Sequence, residues 1–165
     1  MSPPAGELAT LRRWLAEFRA GVERKTADLD AVQLARRAVP PSTLSLLGLV
    51  RHLAQMEHHW FVRVLQRRPE ETSLFVRDRR WDTQFDAAVG DPGVVEEAFT
   101  TWRETCVQAD AWLDIITDEA LDVVLDPDDR IATIRDVLQQ VLKEYARHLG
   151  HMDLLRECID GRTGE

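Results

Sequence analysis

The chain has 165 residues, 44% hydrophobic and 30% charged, which is enough to bury an independent core and is the composition of an ordinary globular protein. Its formal net charge of −8 gives no general basic footprint for nucleic acid or an anionic membrane. No apolar run approaches the roughly 18 residues of a membrane span, and the opening MSPPAGEL lacks the basic and apolar regions of a secretory signal. A cytoplasmic, single-domain protein over residues 1–165, with no nucleic-acid or membrane partner, is therefore expected; a homodimer is left open.

Four amphipathic segments follow in chain order. Leu8, Leu11, Leu15, Phe18 and Val22 recur at alternating spacings of three and four, the signature of one buried stripe, and predict a first helix over residues 6–26. After the Pro40-Pro41 break, Ser42, Thr43 or Ser45 can cap a second helix with Leu46, Leu49, Leu53, Met56, Trp60 and Val64 inward and His52 beside them. Asp91-Pro92 reads as an N-cap followed by proline at the first helical position. It opens a third helix with Val95, Ala98, Trp102, Cys106, Ala109, Leu113 and Ile116 inward, ending near Thr117. Thr133 and Asp136 match the capping-box spacing of a fourth helix that carries Ile134, Leu138, Val141, Tyr145, His148, Met152 and Leu155 before Gly161.

No sustained period-two alternation competes with these helices, so the class is all-α. The predicted architecture is a four-helix bundle running up-down-up-down with a long crossover between helices 2 and 3. That crossover, residues 67–91, contains Leu74, Phe75, Trp81 and Phe85, which predict that it packs across the bundle and covers a site there. Cys106 and Cys158 form no CxxC motif, and Cys106 reads as a small core residue on its helical stripe.

Glu144 and His148, four residues apart on the fourth helix, are separated by about 40° around its surface and about 6 Å along its axis, so they share a face. One helix can thus offer a carboxylate oxygen and an imidazole nitrogen to one ion, with His52 as a third donor from a facing helix and one coordination position left open. Singly, each has a plainer reading: a histidine beside an apolar stripe is usually a hydrogen-bonded core residue, and a glutamate near Lys143 and Arg147 a solvated charge. His151, three residues after His148, gives an alternative triad of His52, His148 and His151. His58 and His59 lie about two turns beyond His52, so His59 could line the same face but roughly 10 Å further on, too far for shared ligation. Trp60, Trp102, Trp112 and Tyr145 read as core or pocket wall. No Glu-x-x-His pair of the di-iron bundles, no HExxH, no GxSxG and no Gly-rich phosphate loop occurs.

The segments LSLLGLVRHLAQMEHHWF and LKEYARHLGHMDLLRE resemble the DinB/YfiT-like superfamily of small bacterial metal-binding four-helix bundles, over nearly the whole chain. In that superfamily one ligand histidine lies on the second helix in an HLA-like context and two ligands, typically histidines, lie four apart on the last. His52 and His148 match, and Glu144 stands where many members have histidine. A glutamate there resembles the branch of the metal-binding domain of mycothiol-dependent maleylpyruvate isomerase and implies a two-histidine, one-glutamate zinc site, although ligand type alone leaves nickel and iron open. The resemblance further implies a thiol-dependent S-transferase or isomerase that joins a low-molecular-weight thiol to an electrophile, with zinc activating the thiol. Two lysines against nineteen arginines, and no asparagine, are the bias of a GC-rich genome and fit an actinobacterial source and hence mycothiol. Arg51 and Arg147, next to His52 and His148, are candidates to orient the thiol or else solvated charges. The alternative is a metal-binding stress-response or ligand-binding protein without turnover.

Overall fold

The computed structural model describes residues 6–77, 80, 82–126 and 129–164, and among them the regular structure is helical, with isolated bridges in place of strands. Helix α1 spans Glu7–Thr26 and buries Leu8, Leu15 and Val22, with Leu11 and Phe18 half-buried against the same core. A short α2, Ala31–Ala35, follows; its capping box of Asp30 and Gln33 lacks the long apolar stripe that marks the other helices. Of the three candidate caps for the next helix, Ser45 serves, its hydroxyl accepting from the Gly48 amide at 3.1 Å, and α3 runs Leu46–Glu57.

Beyond Glu57 the same rod continues as a π-helical segment, His58–Leu65. The wider turn shifts the inward face by one residue. Phe61 and Leu65 are buried there, while Trp60 and Val64, the positions an α-helical spacing turns inward, are only partly covered.

Helix α5 spans Pro92–Leu113, with the Asp91 side chain accepting from Gly93 and Val94. It ends four residues before the expected Thr117. There Arg12 of α1 donates to the Leu113 carbonyl at 3.2 Å and to the Asp114 carboxylate at 2.5 Å, so a side chain from a neighbouring helix takes the last carbonyl in place of a further turn. A 3-10 turn, Asp118–Asp122, leads toward α6, Ile134–Asp160. There Thr133 and Asp136 form the capping box and Gly161, at φ 81°, closes the helix in the left-handed conformation. All seven residues assigned to the inner stripe of α6 are buried.

Helix α1 lies against α6, α3 against α5, and α3 also meets α6, so the faces of α3 and α6 look at each other across the core. The 67–91 crossover packs back onto α3, as its apolar residues predict. Gln55 accepts from the Leu74 and Phe75 amides at 2.8 and 3.3 Å, and Phe75 is buried. The crossover includes α4, Thr83–Asp86, which approaches α3 closely because position 48 is glycine: a Cβ there would sit 3.1 Å from Phe85 Cδ1. Trp81 lies outside the described residues.

Candidate metal centre

His52 reaches inward from the middle of α3, and Glu144 and His148 from successive turns of α6, on the two faces that meet. Their ligand atoms, one from each, all lie within 4.8 Å of one another, and they form the one such group of three or more among the described residues. Glu144 Oε2 is central: it stands 3.4 Å from His148 Nε2 and 3.9 Å from His52 Nε2. Two bonds of about 2.1 Å at a tetrahedral angle would set ligand atoms about 3.4 Å apart, so a zinc-sized ion fits with small side-chain adjustments. The two imidazole rings are 4.5 Å apart, edge to face.

The donor chemistry suits a metal. His52 Nε2 is buried without a hydrogen-bond partner, an arrangement that costs free energy unless something fills the space it faces. Burial pushes His52 below its ordinary pKa. Burial, then the neighbouring His52, His151 and Arg147, pull His148 down to about 3. Both rings are therefore neutral near pH 7, the state in which imidazole ligates.

Each candidate ligand is also held from behind. Gln140 Nε2 donates to Glu144 Oε1 at 2.8 Å and is itself met by Lys143, leaving Oε2 to the histidines. His148 Nδ1 lies 3.3 Å from His151 Nδ1, and His52 Nδ1 lies 3.3 Å from Gln84 Oε1 of α4. His151 thus sits behind His148, on the ring edge opposite Glu144, and is outside the three-residue group. Gln140 was within reach of the sequence, since 140, 144 and 148 form one ladder at helical spacing. Gln84 was not, because it lies in a crossover with no periodicity.

A cavity of about 240 Å³ opens beside the triad, lined by His52, Gln55, Met56, His59, Trp60, Gln140 and Glu144. His59 thus lines the same space as His52 from two turns away, and the π-helical segment supplies both it and Trp60. His58 and His59 stand outside the three-residue group. Arg51 is neither solvated nor free to meet a substrate: it is buried, donates to the Gln84 carbonyl at 2.9 Å and lies over the Phe75 ring. Arg147 is largely exposed, with Nη1 3.9 Å from Glu144 Oε1.

On the far side of α3 lies a polar cluster that sequence reasoning missed. Glu57, 0% exposed, accepts from Arg19 Nε at 2.8 Å and Nη2 at 2.9 Å and from the Tyr145 hydroxyl at 2.7 Å; Trp102 Nε1 donates to that hydroxyl at 2.9 Å. Burial alone would lower the Arg19 pKa, but the Glu57 carboxylate against it leaves it raised. Cys106 Sγ lies 3.7 Å from Glu57 Oε1, and burial followed by that carboxylate drives its pKa upward. The available signal was Arg19 falling between Leu15 and Val22 on an otherwise apolar stripe.

The model of the mycothiol-S-transferase family matches residues 10–161. Among solved structures, the crystal structure of a conserved protein from Enterococcus faecalis superposes with a TM-score of 0.72 over 96% of this chain and 99% of that one, at 16% identity, a likeness of fold. No curated protein matches the sequence.

Proposed function

The chain belongs to the mycothiol-S-transferase family, and from that membership we propose that it joins the sulfur of mycothiol to an electrophile at a centre held by His52, Glu144 and His148. The single observation that carries the reading is the convergence of those three donors from facing helices, beside a cavity, in a family defined by a thiol substrate. A zinc ion held there would supply a Lewis acid that lowers the pKa of a thiol brought to its open position. In the same reading α1, α3, α5 and α6 form an up-down-up-down bundle, with the 67–91 crossover joining its second and third members.

The chain's own residues have definite tasks in this scheme. His52 and His148 offer neutral nitrogens and Glu144 an oxygen whose charge offsets part of the cation's. Gln140 keeps the Glu144 carboxylate turned so that one oxygen serves the centre. Met56 and Trp60 give the cavity apolar walls that keep an electrophile and a thiol together and exclude water. In the transfer itself the thiol gives up its proton to solvent water, its sulfur forms a bond to the electrophilic carbon, and the leaving group departs with the electrons of the bond that breaks.

The test is the consumption of mycothiol with a bromobimane and with a haloalkane by zinc-loaded and chelator-treated protein. Zinc-loaded protein should accelerate both conjugations and chelator-treated protein should not, with recovery on adding zinc back. Full zinc occupancy with no acceleration for mycothiol or any other low-molecular-weight thiol would leave a metal-binding protein without turnover.

A further inference from the structure

The outer partners of the three candidate ligands are not equivalent. Gln140 and His151 lie on α6, the helix that carries the ligands they touch, and so are in place wherever α6 is. Gln84 lies on α4, thirty-two residues from His52, and reaches it only when the crossover is docked on α3. Gln84 is 2% exposed, and its backbone carbonyl is fixed by Arg51, whose guanidinium lies 4.1 Å from the Phe75 ring centre. The next residue, Phe85, stacks on the His52 ring at 5.5 Å. The crossover therefore holds this histidine on one face and at one nitrogen.

A carboxamide oxygen can only accept a hydrogen bond. With Gln84 Oε1 facing His52 Nδ1, the ring proton sits on Nδ1 and the lone pair on Nε2, the buried atom without a partner that faces Glu144 and His148. Without that acceptor a neutral imidazole is free to place its proton on Nε2, where it blocks ligation. From this arrangement we propose that Gln84 is a positioning residue which fixes the ligating tautomer of His52 and thereby couples metal binding to docking of the 67–91 crossover over the site. The inference rests on the three-residue metal reading. It adds that the crossover is part of the centre, and linkage makes the coupling reciprocal: whatever docking contributes to metal affinity, the metal returns to docking.

The experiment compares wild type, Gln84→Leu and Gln84→Glu, each first shown by circular dichroism to be folded. Leucine fills the volume without an acceptor; glutamate restores one. Zinc affinity, measured by competition with a chromogenic chelator, should fall about 10- to 100-fold in Gln84→Leu and stay close to wild type in Gln84→Glu. Nitrogen-15 spectra of metal-free protein should show a protonated Nδ1 for His52 in wild type and in Gln84→Glu, and a tautomer mixture in Gln84→Leu. A packing role alone would not move that signature. Backbone hydrogen exchange over residues 72–77 should slow on adding zinc to wild type and respond less in Gln84→Leu. Equal zinc affinity and an unchanged His52 tautomer in Gln84→Leu overturn the proposal while leaving the metal centre standing; wild-type protein that takes up no zinc removes the centre and the coupling together.

Discussion

Glu144 Oε2 is the atom on which the two readings of the triad divide. It is shared between His52 and His148, whereas His151 touches only the back of His148. Glu144→Gln keeps the shape and removes the charge, and should lower zinc content well below one equivalent by metal analysis. His151→Ala should retain most of the metal with an affinity reduced about tenfold, as for loss of an outer hydrogen bond. Retention by the Glu144 variant with loss in the His151 variant would move the ligand from 144 to 151. The two cysteines differ just as sharply. Cys158 is exposed, while burial and Glu57 hold the Cys106 thiol protonated. Iodoacetamide at pH 8 should modify Cys158 and spare Cys106 until the protein is unfolded, as read by mass spectrometry. Because folding raises the Cys106 pKa above its ordinary 9.0, the stability this thiol contributes is fully present below pH 9.0 and lost as rising pH ionises it first in the unfolded chain. Cys106→Ala should accordingly flatten the loss of thermal stability measured between pH 9 and 10.5.

At the scale of elements, three of the four long helices end or begin at residues whose chemistry is local: Ser45, Asp91 with Pro92, Thr133 with Asp136, and Gly161. These were legible because caps and a 3.6-residue apolar period are written within a few positions of sequence. The π-helical segment was not. The run from Leu46 to Val64 keeps an α-helical apolar spacing throughout, and the widened turn that brings Phe61 inward depends on packing against α5, where Trp112 meets it edge to face. Phe61→Ala should destabilise the fold by about 3–5 kcal/mol in denaturant titration, the cost of emptying a fully buried aromatic site. Trp60→Ala should cost far less stability and act on the cavity beside the triad. The opposite ranking would restore the α-helical register. The pair Glu144 and His148 was legible for the same reason as the caps, since four residues of one helix fix their mutual placement; Gln84 comes from a segment whose position only the folded chain defines.

For the molecule as a whole, an ion held as proposed by His52 of α3 and by Glu144 and His148 of α6 would link residues some ninety apart in sequence and would stabilise the folded state by mass action. Stripping zinc with a chelator should lower the melting temperature by several degrees, and re-adding it should restore the value; a melting temperature indifferent to both would argue against a bound ion. A buried polar link between helices is the Glu57 cluster, which joins Arg19 of α1, Tyr145 of α6 and, through Arg19, Asp110 of α5 to a single carboxylate on α3. Its strongest consequence is for assembly, because a slip of α1 or α3 by a single turn, about 5.4 Å, would part Arg19 from Glu57 and leave a buried carboxylate uncompensated, and a slip of α6 would take the Tyr145 hydroxyl from it. Apolar stripes tolerate such slips, since leucine repeats resemble one another. Glu57 does not, and it thereby acts as a molecular index mark that admits one alignment of α1, α3 and α6, the alignment in which His52 stands opposite Glu144 and His148.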